Sequence, residues 1–218
     1  MDNGLFITFE GGEGCGKTTQ IRRLADRLKR QGTNAFLIRE PGGTFIGEEI
    51  RRLVKFSPEA AGISPETEVL LFAASRAQLV AQIIIPALQQ GSIVLCDRYV
   101  DSTTVYQGIA RGLPLDQVSV INHFATRGHL PHMTILFDMD PDKARRRLAQ
   151  SNDPTRQEND RMESQPPEFY HKVRQGYLEI AKREPDRFVV IDAAGNADDI
   201  ERKVRMILAE RFDGVFGF

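Results

Sequence analysis

Gly11-Gly12-Glu13-Gly14-Cys15-Gly16-Lys17-Thr18 decides the fold. The spacing is Gly, four residues, Gly, Lys, then Ser or Thr, which is the P-loop pattern. The six residues before it, Leu5-Phe6-Ile7-Thr8-Phe9-Glu10, read as a short buried strand. From Thr18 to Arg30 the chain reads as a helix, with Ile21, Leu24, Ala25 and Leu28 on one face. Strand, glycine loop and helix in that order are the context the motif requires. The glycines let successive N–H groups point into one hollow, and the helix start adds its positive dipole end. A polyphosphate fits there, with Lys17 on the β- and γ-phosphates and the Thr18 hydroxyl on Mg²⁺. A dinucleotide fingerprint would need its third glycine at position 17 or 19, where Lys17 and Thr19 stand.

Working outward, four more short apolar runs appear: 34–39, 92–97, Met133 to Asp138 and Phe188 to Asp192. Each is continuous and apolar, as for strands buried on both faces, and helical stretches separate them. The expectation is an α/β, P-loop three-layer fold: a five-stranded parallel sheet with helices on both faces. Glu10, Asp97, Asp138 and Asp192 end four of the five runs. Ligands of such sheets bind beyond the carboxyl ends of the strands, so these acids are candidates for metal or hydroxyl contacts. The longest helical stretch, about Pro65 to Gln89, has Leu70, Leu71, Ala74, Leu79 and Ile83 available for one face. Gly32 and Gly91 read as helix ends, and Gly112-Leu113-Pro114 as a break before a helix over 115–127. Helices are also expected over 141–150, 168–183 and 198–211. Residues 151–167 are polar with almost nothing apolar, and read as a mobile lid carrying Arg156 and Arg161.

The totals bound the rest. The 218 residues suit one domain, 1–218, and an apolar share of 41% supports a packed core. A formal charge of −1 argues against nonspecific nucleic-acid binding. Cys15 and Cys96, the two cysteines, are expected as free thiols at the mouth of the nucleotide site, in a reducing cytoplasm; a catalytic Cys15 is the lesser alternative. Neither a signal peptide nor a membrane span is expected. His123, His129, His132 and His171 lack metal-ligand spacing and read as surface or packing residues.

A P-loop names a nucleotide, not a reaction. Arg39-Glu40-Pro41-Gly42-Gly43 follows the second run, and Arg51 comes eight residues later. Phe72 and Arg76 are four apart on the long helix and share a face. Asp97-Arg98-Tyr99 follows the third run, then Ser102, Tyr106 and Gln107. Cations, rings and an amide together suit a nucleoside monophosphate: arginines clamp its phosphate, a ring stacks on the base, and Arg or Gln reads the edge.

From Leu5 to Arg211 the chain resembles the bacterial thymidylate kinases, in the nucleoside monophosphate kinase branch of P-loop proteins. The resemblance rests on Glu10 through Thr19, Arg39 through Gly43, Leu71 through Arg76, and Asp97-Arg98-Tyr99 through Tyr106-Gln107-Gly108. It implies phosphorylation of dTMP to dTDP by ATP with Mg²⁺, in a homodimer. It implies ATP on Gly11, Gly12, Glu13, Gly14, Cys15, Gly16, Lys17, Thr18 and Thr19. For dTMP it implies Phe72 on thymine, Arg76 at its edge, Gln107 near the base, and Arg51 and Arg98 on the phosphate. Ser102 or Tyr106 would lie against the sugar, and Glu10 and Arg39 join this acceptor set. Thr18 and Asp97 form the metal set, Asp97 through water. Glu13 in the loop, with Arg156 and Arg161 beyond it, resembles the type whose catalytic cation comes from the lid. The catalytic group is then Lys17, Arg98, Asp97 and Arg156 or Arg161. Met162 and Val105 depart from the commoner family residues. Two alternatives remain: a kinase for another monophosphate, and a P-loop switch, which would want an Asn-Lys-x-Asp motif that is absent.

Overall fold

A computed structural model describes residues 4–150 and 160–217. Five parallel strands lie in the order β2-β3-β1-β4-β5. They are β1 (Leu5–Glu10), β2 (Ala35–Arg39), β3 (Ile93–Asp97), β4 (Met133–Asp138) and β5 (Phe188–Asp192). β1 is central, with Phe9 in register with Asp97 of β3 and Ile135 of β4. The carboxyl ends of β1, β3 and β4 thus form one edge, which places Glu10, Asp97 and Asp138 together. β1, β3 and β4 are buried nearly throughout, whereas the edge strands β2 and β5 expose Phe36, Leu37 and Val190. The expectation of burial on both faces therefore fails at the two edges, where one side of the strand has no neighbour.

Side-chain alternation along β1 divides the core between two faces. Ile7 and Phe9 pack with Ile21, Leu24 and Leu28 of α1 (Lys17–Arg30) and with Val204 and Leu208 of α9 (Ala197–Arg211). Leu28 is fully buried, which contributes about 1.5–3 kcal/mol. Phe6 faces the other way, onto Leu79, Val80, Ile84 and Leu88. These belong to α3 (Pro65–Leu79), which continues through a π turn (Val80–Ile84) into α4 (Ile85–Gln89). This 25-residue helix is long and apolar enough by composition to cross a membrane. Its buried stripe is instead part of the core, and it also buries Glu68, Ser75 and Arg76. The expected face holds at Leu79, which is inside, but shifts toward the start of the helix: Leu70 and Ala74 are exposed, and Val69 and Ala73 are inside. Three polar residues on the inner face misled the hydrophobic pattern.

The remaining helices are α2 (Phe45–Phe56), α5 (Val100–Thr103) running into a π segment (Thr104–Ala110), α6 (Leu115–Thr126), α7 (Pro141–Ala149) and α8 (Pro167–Arg183). Thr44, Ser64, Asp140 and Asn196 cap α2, α3, α7 and α9 through their side chains. α1 has no side-chain cap; it starts at Gly16, whose φ of 91° is a left-handed value that suits glycine. Both cysteines are buried; Cys15 still lines a hollow beside the glycine loop, and Cys96 is wholly enclosed. Cys15 lies under the glycine loop in the α1-side core, and Cys96 lies in the α3-side core. Burial pushes the Cys96 thiol up, away from its reactive form.

α8 crosses the π segment at Gly176. A Cβ there would come 2.8 Å from Ile109 Cδ1 and 3.2 Å from Val105 Cγ1. Gly176→Leu is expected to cost about 1–3 kcal/mol through overpacking. For a chain of this size that lowers the melting temperature by about 2–4 °C per kcal/mol, readable by calorimetry. An unchanged melting temperature would show that α8 does not pack here.

Candidate active site

The glycine loop bends over the carboxyl end of β1, and α1 begins where it closes. Gly11, Gly14 and Gly16 have positive φ, and a Cβ at Gly14 would come 2.5 Å from the Ala144 carbonyl oxygen. The loop therefore needs glycine there for both conformation and space. Lys17 donates to the Gly12 carbonyl at 3.2 Å, which holds its ammonium over the hollow. The Thr18 hydroxyl donates to Asp97 Oδ2 at 2.6 Å. Asp97 Oδ1 is buried and has no protein donor. A hydroxyl and a carboxylate with one free buried oxygen fit Mg²⁺, which keeps waters and phosphate oxygens and takes few protein ligands. Among the described residues no group of three or more His, Cys, Asp or Glu forms a dedicated metal cage. Thr19 is the third residue of α1, behind the loop.

A second pocket opens beside the loop between α3 and the α5 region. Phe72, Arg76, Ser102, Tyr106, Gln107 and Arg98 line it, and Met162 lies at its far wall. Arg76 is almost wholly buried. It gives Nε and NH2 to Glu40 Oε2 at 2.8 and 2.5 Å, NH2 to Thr103 at 2.9 Å and NH1 to Asn122 at 2.8 Å. Four of its five N–H groups are thus used. Ser102, Tyr106 and Gln107 come from one helical stretch, which the sequence reading did not identify as helix.

Arg98 joins the two hollows. It lines both the second pocket and the cleft that contains Lys17, Thr18, Asp97, Arg39 and Arg51. Its guanidinium donates to Glu13 Oε1 at 2.8 Å, Ser102 Oγ at 3.1 Å and Tyr177 Oη at 3.3 Å, and lies over the Tyr106 ring. Tyr106 donates to the other Glu13 oxygen at 2.6 Å. Burial pushes the Glu13 carboxyl up, but Arg98 and Lys17 outweigh it and hold Glu13 below the usual range. The Glu13 side chain therefore reaches into the second pocket, away from the glycine loop that carries its backbone. Arg39 pairs with Glu48 at 2.9 Å, and Arg51 donates to the Pro41 carbonyl at 3.1 Å.

Two expected contacts take a different form. Glu10 lines neither hollow: it is 0% exposed, accepts from Tyr99 N at 2.7 Å and Ser102 N at 3.3 Å, and from Ser102 Oγ and Tyr177 Oη at 2.7 Å each. It supports the Tyr99–Ser102 wall of the second pocket from behind. Arg161 points away from the cleft, donating to the Val54 carbonyl at 2.9 Å and to Glu68. Arg156 lies outside the described residues. The reading also missed Tyr177, whose spacing on α8 looks like ordinary core, and Arg147, which approaches Gly16 and donates to the Ala193 carbonyl at 3.4 Å. Arg147 belongs to a run of three exposed arginines, 145–147, whose sequence gave no sign of this contact. His132 accepts from Phe6 N at 3.0 Å, a packing role.

Burial, with the Asp101 charge adding to it, raises the Glu10 carboxyl to about 7. Below the unfolded value of 4.5 it is protonated in both folded and unfolded chains. As pH rises from there to about 7 the folded protein keeps a proton that the unfolded chain has lost, so stability falls with pH. Glu10→Gln cannot ionise and lacks this slope. Its deficit in melting temperature against the wild type is expected to be larger at about pH 5 than at about pH 8. A deficit equal at both pH values would show that Glu10 is not held protonated by its surroundings.

Known proteins carry the same frame. Residues 9–204 match the thymidylate kinase family. A thymidylate kinase of Desulfosudis oleivorans is 47% identical over 207 residues, covering 94% of this chain and 95% of the relative. One from Thermoanaerobacter sp. strain X514 is 49% identical over 189 residues, 87% and 89% of the two chains. The crystal structure of thymidylate kinase from Ehrlichia chaffeensis superposes with a TM-score of 0.74 at 34% identity, covering 94% of this chain and 98% of that one. With the P-loop, the second pocket and Arg98 between them, the chain belongs to the thymidylate kinase family.

Proposed function

We propose that the glycine-loop hollow takes ATP, the second pocket takes dTMP, and the γ-phosphoryl group passes between them to give ADP and dTDP. One observation supports this most: Lys17 and Arg98 line a single cleft, so two phosphate tails meet between them. Two anions repel, and the protein's task is to align them and offset their charge. Lys17 and the first N–H groups of α1 hold the donor phosphates. Thr18 and Asp97 would hold Mg²⁺, which when bound neutralises charge on the donor oxygens. Arg98 and Arg51 clamp the acceptor phosphate, with Arg39 alongside. Phe72 stacks on the base, Arg76 and Gln107 face its edge, and Glu13, Ser102 and Tyr106 border the sugar. The acceptor phosphate is already anionic, so no general base is required. Arg161 is occupied by Glu68, which leaves Arg156 as the lid cation; such a group contributes on the order of 10³-fold in rate. We place the protein in the cytoplasm, acting as one domain with 151–167 as its lid.

A homodimer fits the surface. Phe45, Ile46 and Leu53 of α2, Leu70 of α3, and Val120 and Phe124 of α6 are all exposed, Phe124 by 84%. α2 packs on α3 and α3 on α6, so these side chains belong to neighbouring helices. An apolar surface shared by adjacent helices favours a self-complementary partner.

Two experiments test this reading. In a coupled assay of ADP release with dTMP, dUMP, dCMP, AMP and GMP, dTMP is expected to give the highest kcat/KM, and Lys17→Ala to lose about 10²-fold or more in rate without unfolding. Equal turnover of all five acceptors, or near-normal turnover by Lys17→Ala, would overturn it. Phe124→Asp is expected to convert a dimer into a monomer in sedimentation. Unchanged mass in that variant would exclude the α6 face as the contact.

A further inference from the structure

Glu68 is 1% exposed, on the inner face of α3 behind the acceptor pocket. It accepts from Gln107 Nε2 at 2.7 Å, from Arg111 Nε at 3.0 Å and NH2 at 3.2 Å, and from Arg161 NH2. Arg111 is itself fixed, lying over the Phe169 ring and donating to Gln165 at 3.2 Å. Burial pushes the Glu68 carboxyl up, but the hydrogen bonds from Gln107, Arg111 and Arg161 outweigh it and hold it below the usual range. An ionised carboxylate has no proton to give. A glutamine amide beside it has one stable orientation, NH₂ toward the carboxylate and C=O away. Gln107 is 2% exposed and lines the acceptor pocket. With its NH₂ held by Glu68, the carbonyl oxygen is the end of the amide left to face the pocket. The pocket edge then offers an acceptor from Gln107 and the remaining NH1 hydrogen of Arg76 as a donor.

We propose that Glu68 is a specificity-determining positioning residue, which fixes the amide polarity of Gln107 so that the pocket accepts a pyrimidine with a ring N–H beside a carbonyl oxygen and rejects cytosine. The inference rests on the acceptor reading above. Thymine and uracil present that pattern, an N–H next to C=O. Cytosine presents the reverse, a bare ring nitrogen next to an amino group. A reversed pattern leaves buried polar groups unpaired, and sites of this kind discriminate by far more than a missing methyl group does. Glu68→Gln removes the constraint, because a second amide can accept or donate toward Gln107.

The test is kcat/KM for dTMP and dCMP in the wild type and in Glu68→Gln. The expected result is a fall in the dTMP:dCMP ratio of at least about 10-fold, through a higher KM for dTMP, with kcat for dTMP changed less. If Glu68→Gln slows both substrates equally and keeps the ratio, Glu68 is merely structural and the proposal is overturned. A wild type that does not prefer dTMP to dCMP overturns the acceptor reading and this inference with it. Should Glu68→Gln not fold, the wild type itself gives the answer by NMR. The Gln107 side-chain NH₂ pair, assigned by its loss in Gln107→Met, is expected to exchange slowly with solvent both before and after dTMP is added. Fast exchange in the free protein would overturn the proposal.

Discussion

The site is organised around one cation, Arg98, which on the proposed reading stands where two anions meet. It is held there from a backbone position that costs energy. Its φ of 71° is left-handed, a conformation that costs a non-glycine residue roughly 1–2 kcal/mol. Three contacts fasten the chain there. Arg98 N donates to the Phe9 carbonyl at 3.0 Å, Cys96 Sγ donates to the Arg98 carbonyl at 3.0 Å, and the next N–H, of Tyr99, is taken by Glu10. The strain persists because β1 and β3 hold it from both sides. The turn sends the guanidinium back across the end of β1 toward the glycine loop, where a relaxed continuation of β3 would not take it.

The same constraint explains the position of Glu13. A guanidinium without a counter-charge in a half-enclosed cleft would be expensive. Glu13 supplies that charge from the glycine loop, and Tyr106 uses the other carboxylate oxygen. One residue of the donor loop is thereby tied to both the cation and the ring of the acceptor wall. The two hollows are parts of one hydrogen-bonded assembly, so a shift in the loop moves the acceptor cation as well.

The layout of the fold was legible in the sequence because buried parallel strands are short, continuous apolar runs and glycines mark the helix ends. Gly32 and Gly91 stand just past α1 and α4 with positive φ, as their positions suggested. The donor loop was legible because its chemistry is contiguous. The second pocket was legible in part, as a set of cations, rings and an amide, but the role of each residue came only from family resemblance: Phe72, Arg98 and Gln107 lie on three separate elements, and no local spacing joins them. The failures have one cause. α3 buries Glu68, Ser75 and Arg76 and exposes Leu70, so a pattern that counts apolar residues finds the wrong face. Glu10 looked like a ligand for the same reason, since an acid at a strand end is equally suited to holding the next helix. Arg161 and Arg147 could not be ranked among their neighbours without knowing which carboxylate or carbonyl they reach.

Those inverted positions follow a rule. Glu10, Glu40 and Glu68 are each nearly or fully buried, and each holds a different part of the acceptor wall: the start of α5, the Arg76 guanidinium and the Gln107 amide. Burying charge is a poor way to gain stability, since apolar replacements of a buried ion pair often do as well or better. A carboxylate has another property that apolar groups lack, for it accepts and never donates while ionised. Placed behind a side chain with both donor and acceptor ends, it decides which end faces the ligand. Burial raises the affinity of Glu40 and of Glu10 for protons, so neither is held ionised as Glu68 is, and at Glu10 this goes with a task that is mainly structural: two of its four partners are hydroxyls, which reorient to suit either form. Glu68, bound by two guanidinium groups, is kept ionised, and it is the carboxylate that stands behind the amide whose direction matters.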